Sequence, residues 1–474
     1  MLLAKSYDPF CATGFGGCVI SGLLGIFRPR LSRQVSGMLA ILISIALASL
    51  DTAIANTALP AIATSLHATP AASVWIINAY QLSAVATILA FASLGGVLGH
   101  RKVYLFGLIL FTVSSALCAM STTLTQLTLA RVLQGVGASA VMSVNAALIF
   151  SLFPPEKLGK GMGLNALVVG MSFAAGPTVA SLILSVADWP WLFGVNIPIG
   201  LLALAMAIPS LPYTPPNGQR FAWVTAGLSI VTFGSLIYAL GEGAQFAGAL
   251  PICLALLVCI SAGFLMIRRE AGHPAPMFPI DLLRRPMFAL SAVTAFCSFA
   301  TQSLAFVSLP FFFETILGRD PIQTGYLMTP WSVVVALIAP LAGRLSDRYP
   351  PGLLGGIGLG VLSLGMLSLA LLPKDPSALD IGIRMMICGL GFGFFQSPNQ
   401  KALMTSAPRE RSSGASGIIA TARLIGQSTG AALVALSFGL SSTQGPILAL
   451  YIGAGFAAAA CVASFSRLVA RNEV

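Results

Sequence analysis

Residues 37–60 read Gly37-Met-Leu-Ala-Ile-Leu-Ile-Ser-Ile-Ala-Leu-Ala-Ser-Leu50-Asp51-Thr-Ala-Ile-Ala-Asn56-Thr-Ala-Leu-Pro60. The run up to Leu50 carries no charge, and a single acid then interrupts it. An apolar stretch of about 20 residues crosses a hydrocarbon core of roughly 30 Å as a helix. In lipid only a helix or a closed barrel satisfies its own backbone. Stretches of this kind recur along the chain, with predicted spans at 36–66, 73–95, 103–121, 126–150, 160–186, 190–211, 222–242, 249–268, 286–316, 323–345, 352–373, 378–406, 414–440 and 444–469. The gaps carry turn chemistry, as in Phe153-Pro154-Pro155 and Tyr349-Pro350-Pro351-Gly352. With 57% hydrophobic and 8% charged residues and a mean hydropathy of +0.91, the 474 residues hold too little polar surface for solution. The reading is an all-α polytopic membrane protein.

The basic residues orient it. With the amino terminus in the cytoplasm, 20 of the 25 Lys and Arg fall in cytoplasmic segments. Arg319 and Lys374 fall outside, and Arg131, Arg384 and Arg423 lie within spans. This is the positive-inside pattern, so the net charge of +11 reports orientation in a cell inner membrane, with both termini cytoplasmic, and not nucleic-acid binding. The eight cysteines, at 11, 18, 118, 253, 259, 297, 388 and 461, have neither metal-ligand nor disulfide-framework spacing. The three histidines form no cluster either, so neither a metal nor a cofactor is expected.

An approximate repeat divides the chain. Span 4 carries Arg131-Val-Leu-Gln-Gly135-Val-Gly137, and span 12 carries Arg384-Met-Met-Ile-Cys-Gly389-Leu-Gly391. The loop Gly95–Lys102 after span 2 has its counterpart in Gly343–Arg348 after span 10. The offset is eight spans in both cases. That predicts a cytoplasmic leader over 1–34, a six-helix bundle over 35–211, an inserted pair and loop over 212–285, and a second bundle over 286–474. Parallel repeats about a membrane-normal axis are the sign of a secondary transporter with its site between the halves.

Several motifs together resemble the major facilitator superfamily, and within it the fourteen-span drug:proton antiporters. They are Leu50-Asp51-Thr52…Asn56…Pro60, the Arg131/Gln134/Gly135 element, Gly176-Pro177 in span 5, Trp189-Pro-Trp191-Leu-Phe193…Asn196…Pro198…Gly200, and Gly389–Asn399. The family's cytoplasmic loop motif departs from pattern, with Gly99 and Arg101 kept but Gly96 standing where an acid is expected. The second-half loop keeps Asp347 between Arg344 and Arg348. The resemblance implies conformational coupling through Gly99, Arg101, Gly176, Pro177, Arg344, Asp347 and Arg348.

Ionisable groups inside a membrane are expensive and mark function. Asp51 is therefore the first candidate for proton coupling and for attracting a cation, because a carboxyl in low dielectric readily takes up a proton. The alternative is an Asp hydrogen-bonded to Asn56 or Thr52. Arg131 is the second candidate, as a partner for a carboxylate or as an interface anchor, and Glu314 a third, as a secondary cation contact. Tyr80, Phe312 and Trp331, with the polar Asn56, Gln134, Gln396 and Asn399, are candidates to line a cavity, the alternative being helix packing. The resulting expectation is a monomeric, proton-coupled exporter of hydrophobic, cationic drugs or antiseptics. The alternative is an antiporter or importer for one metabolite, since fold alone does not name cargo. An enzyme finds no catalytic set or phosphate-binding loop in this chain.

Overall fold

The computed structural model describes residues 33–153, 158–215, 221, 223–244, 249–270, 280–373, 375–406, 412–441 and 444–470. The expected leader over 1–34 lies outside them apart from its last two residues. Fourteen long helices follow one another among the described residues. They are α1 (Arg33–Thr57), α2 (Trp75–Leu98), α3 (His100–Ala119), α4 (Leu124–Leu152), α5 (Leu158–Val186), α6 (Asn196–Ser210) and α7 (Trp223–Ala244). Then come α8 (Ala249–Glu270), α9 (Pro286–Phe311), α10 (Pro321–Leu345), α11 (Pro351–Ala370), α12 (Ala378–Ser406), α13 (Ser412–Leu440) and α14 (Gly445–Ala470). Twelve of these are long and apolar enough to cross a membrane, and α5 makes a thirteenth if its bent parts are one span. The qualifying apolar part of α7, Trp223–Leu236, is shorter. Length and hydropathy thus support twelve or thirteen of the fourteen expected spans.

Local chemistry sets the helix starts. The Thr123 hydroxyl accepts from Gln126 N at 3.3 Å to cap α4. The Asp320 carboxylate accepts from Gln323 N at 2.7 Å to cap α10, with Pro321 at the first helical position. The outward faces are greasy. On α3, Phe106, Ile109, Val113 and Leu117 are exposed at helical spacing, a stripe suited to acyl chains.

The helix pairing repeats. In the first half α4 packs on α2 and α3, α1 on α5 and α6, and α6 on α3. In the second half α12 packs on α10 and α11, α9 on α13 and α14, and α14 on α11. Adding eight to each number of the first set gives the second. The two halves meet along two equivalent seams, α2 with α13 and α5 with α10. The inserted pair lies outside the first seam, with α7 against α2 and α13, and α8 chiefly against α7.

The core is layered along the bundle. At the arginine-poor end one apolar cluster spans both halves, including Ile54, Ile62 and Phe193 from the first and Val307, Phe311 and Phe438 from the second. At the basic end the clusters separate. Met38, Tyr104 and Leu148 belong to one that is wholly first-half, and Phe288, Leu403 and Ile418 to one that is wholly second-half. Among the described residues the largest shared layer lies at the arginine-poor end, and a smaller cluster of Ala84, Ile88 and Leu89 with Phe233 and Leu424 joins the halves along the α2–α13 seam.

Candidate functional site

Asp51 sits on α1, inside the first half, facing α4 and α6. Its Oδ2 accepts from Arg131 Nη1 at 2.5 Å, and both side chains are 1% exposed. Its Oδ1 accepts from Gln134 Nε2 at 2.9 Å and from Asn196 Nδ2 at 2.7 Å. Arg131 also donates to the Gln134 amide oxygen at 2.5 Å and to the Ile76 carbonyl at 3.2 Å. Its guanidinium lies 4.2 Å from the Tyr80 ring centre and 5.5 Å from that of Phe193. Ser115 on α3 completes the set by accepting from Gln134 at 2.8 Å. Five helices, α1, α2, α3, α4 and α6, thus converge on one buried charge pair. The interface-anchor alternative for Arg131 gives way, since the residue is fully buried. The suggested Asn56 or Thr52 partners of Asp51 also give way, because Asp51 accepts from Arg131, Gln134 and Asn196 and Thr52 donates to the Ala48 carbonyl.

The cavity lies one layer further in, between the halves. A cleft of about 460 Å³, counted together with the open space at its mouth, lies among α5, α9, α10, α12 and α13, with Phe299, Gln302, Trp331, Gln396, Arg423 and Gln427 on its surface. An adjoining space of about 380 Å³ reaches α1 and α2 at Thr52, Tyr80 and Gln81, and shares Phe173, Arg423 and Gln427. Tyr80 is therefore the partition, with Arg131 over its ring and the cavity beside it. Helix α5 bends by 43° between Phe173 and Ala175. Pro177 has no N–H to return to the Phe173 carbonyl, which frees that turn to bend.

Of the sequence-stated cavity candidates, Tyr80, Trp331 and Gln396 line this space. The others do not. Gln134 is held in the Asp51 cluster, Phe312 packs in the second-half core, and Asn399 accepts from Arg467 at 2.7 Å. Asn56 is buried off the wall. Glu314 sits in the π-helical turn Phe312–Ile316 after α9, away from the cavity, with one buried carboxylate oxygen unpartnered. Arg423, Gln302 and Gln427 were not singled out as cavity residues from sequence. A further miss is Arg467, counted with the cytoplasmic basic residues. It is fully buried and donates to Ser291 at 3.1 Å, to Asn399 and to Ser464.

The sequence pairing of Arg131 with Arg384 is one residue out. A side chain at Gly135 would run into the Tyr80 carbonyl, and one at Gly389 into the Trp331 carbonyl. Matching those glycines puts Met385 opposite Arg131 and Cys388 opposite Gln134. Arg384 turns aside, donating to Asp380 at 2.9 Å one turn away and to the Ser368 carbonyl.

The coupling candidates occupy distinct places. Gly99 has φ +94°, and a side chain there would meet the Thr214 carbonyl, so glycine is required. Arg101 bonds to Thr214 Oγ1 through its backbone at 3.1 Å and to the Ile208 carbonyl through its guanidinium at 2.5 Å. A side chain at Gly176 would strike Ala53, where α5 crosses α1. Asp347 accepts from Lys401 on α12 at 2.5 Å, and the two side chains are 72% and 38% exposed. Its neighbours Arg344 and Arg348 are exposed, and among the described residues the ion pair of Asp347 is with Lys401.

Residues 41–431 match the family model described as Major Facilitator Superfamily. An uncharacterized transporter of Escherichia coli K12, YebQ, is 49% identical over 91% of this chain and 95% of its own. The riboflavin transporter RibZ of Clostridioides difficile is 29% identical over 86% and 88%. The multidrug resistance protein Stp of Mycobacterium tuberculosis is 30% identical over 84% and 75%. A solved POT family transporter superposes with a TM-score of 0.71 at 12% identity, over 92% of this chain and 96% of that one.

Proposed function

Since this chain belongs to the major facilitator superfamily, a family of membrane transporters, we propose that it is a proton-driven exporter of hydrophobic compounds working by alternating access. One observation carries the reading: a cavity between two repeated halves, sealed by a shared apolar layer at the arginine-poor end and bounded by separate half-cores at the basic end. With the basic end cytoplasmic, as the lysines and arginines favour, this state takes cargo from the cell interior. Rocking about the α2–α13 and α5–α10 seams would then open the opposite end.

Asp51 is the proposed proton site. A proton arriving there cancels the charge that holds Arg131 and Asn196, and loosens α1 from α4 and α6. Tyr80, pinned against the Arg131 guanidinium, transmits that change to the cavity wall. The coupling is indirect, because the ion pair stands behind the wall. Accumulation of hydrophobic dyes in everted membrane vesicles tests the export reading. It predicts uptake driven by an imposed proton gradient and abolished by an uncoupler, whereas gradient-independent uptake would refute it.

A second reading, a carrier for one metabolite, is favoured by polarity. Gln81, Gln302, Gln396 and Gln427 line the two adjoining spaces with Arg423, and convergent polar groups are how a site reads one solute. Competition among unrelated dyes for uptake separates the readings, since a single-solute site rejects most of them.

A further inference from the structure

Four arginines lie within the helical bundle, and three have partners. Arg131 has Asp51. Arg384 has Asp380 and the Ser368 carbonyl. Arg467 has the oxygens of Ser291, Asn399 and Ser464. Arg423 on α13 has none among the described residues, and its Nε–H is buried without an acceptor. It lines both parts of the central space. The residue is only partly buried, so its charge faces that space without a protein counter-charge, and intramembrane charges that persist unpaired mark substrate paths.

The rest of the wall completes the chemistry. No described residue lining either part of the space is acidic, because Asp51 is behind Tyr80 and Glu314 lies elsewhere. The Trp331 indole N–H is a second buried donor with no acceptor. Phe299, Phe306 and Phe392 supply apolar ring surface beside it. A cation would enter a cavity whose one fixed charge repels it. An anion meets a forked donor that suits carboxylate, sulfonate or phosphate geometry.

Resting on the export reading, we propose that the cavity takes organic anions with a flat aromatic body, the acid group on Arg423 and the rings against the partly exposed Phe173 and Phe299. Gln302, Gln396 and Gln427 are placed to read polar groups on that body. An anion leaving a cytoplasm held electrically negative also moves with the membrane field, so export of this class needs less of the proton gradient than export of a cation.

The test compares fluorescein with rhodamine 123, which share a xanthene ring system and a phenyl substituent but differ in charge. Binding of each to the purified full-length protein in detergent is measured by fluorescence anisotropy at constant salt, for wild type, Arg423→Gln and Arg423→Lys. The expected result is fluorescein bound roughly tenfold or more tighter than rhodamine 123, a preference lost in Arg423→Gln and partly kept in Arg423→Lys, which retains charge without the fork. The lysine variant and a thermal melt of each protein separate loss of the site from loss of the fold. Wild-type preference for rhodamine 123, binding of neither dye, or fluorescein binding unchanged in Arg423→Gln overturns the proposal. Dye accumulation in everted vesicles is read separately. Arg423-dependent binding without accumulation leaves the anion site standing and removes the export reading.

Discussion

The first and second halves share a scaffold and differ in what they bury. Side chains at Gly107 and Gly137 would strike across the α3–α4 crossing, and side chains at Gly358 and Gly391 would do the same across α11–α12. Backbones touch at equivalent places, as small residues permit in lipid. Yet where the first half has Arg131 and Gln134 around Asp51, the second has Met385 and Cys388 in a core with Phe306, Trp331 and Leu362. Glycine crossings set how the helices pack, and the polar positions between them are free to diverge. The first half buries the charge pair, and the second presents Trp331, Gln396 and Arg423 to the cavity. On the proposed reading, proton and cargo chemistry are divided between the halves accordingly.

The sharpest way to break this contrast is to remove one member of the buried pair. Arg131→Met leaves Asp51 buried without its counter-charge, and should destabilise the protein by about 3–5 kcal/mol, the usual effect of orphaning a buried charge. Adding Asp51→Asn should restore much of that loss, a coupling that a double-mutant cycle reads. Thermal melts of the purified variants provide the check, and simple additivity would mean that the pair is not a unit. The shared scaffold is tested by Gly137→Leu and Gly391→Leu. Each forces a side chain into a backbone crossing and should cost at least about 1–3 kcal/mol, as overpacking does. The two should match in folded yield and melting temperature, and tolerance of either one would break the equivalence.

The smallest effects are expected at the basic end. Gly99→Ala imposes a side chain on a positive φ and against the Thr214 carbonyl, for about 1–3 kcal/mol of strain. Asp347→Asn removes an exposed pair with Lys401 and should change stability by under about 1 kcal/mol. Melts of these two variants at equal ionic strength should rank them in that order. The reverse ranking would make the second-half loop the stronger brace.

Much of this architecture was legible in the sequence because it rests on long-range composition. Apolar length marked the spans, and the offset of eight between motifs has its counterpart in the repeated helix pairing. Asp51 and Arg131 were legible as separate charges within spans, and their pairing was not, since residues 80 apart meet only through α1–α4 packing. Asn196 was visible as a motif letter, and its bond to Asp51 depended on how α6 crosses α1. The cavity list fared worst. Sequence gives a residue's type and approximate depth, but helix rotation decides which side chains face the cavity, so Gln134 and Asn399 turned into buried clusters while Arg423 and Gln427 turned inward. Arg467 lies in the last turn of α14, and its burial against Ser291 and Asn399 was not legible for the same reason, since helix packing brings those oxygens beside it.

The division of labour between halves stands or falls on Asp51. Purified wild-type and Asp51→Asn proteins, reconstituted into proteoliposomes with a hydrophobic dye as cargo, can be assayed in two modes at matched protein content: uphill transport driven by an imposed proton gradient, and equilibrium exchange with none. Asparagine keeps the size and accepting oxygen of the side chain but cannot carry the proton. The account predicts that Asp51→Asn loses uphill transport while keeping equilibrium exchange through the second-half cavity, and wild-type uphill rates in Asp51→Asn would contradict it.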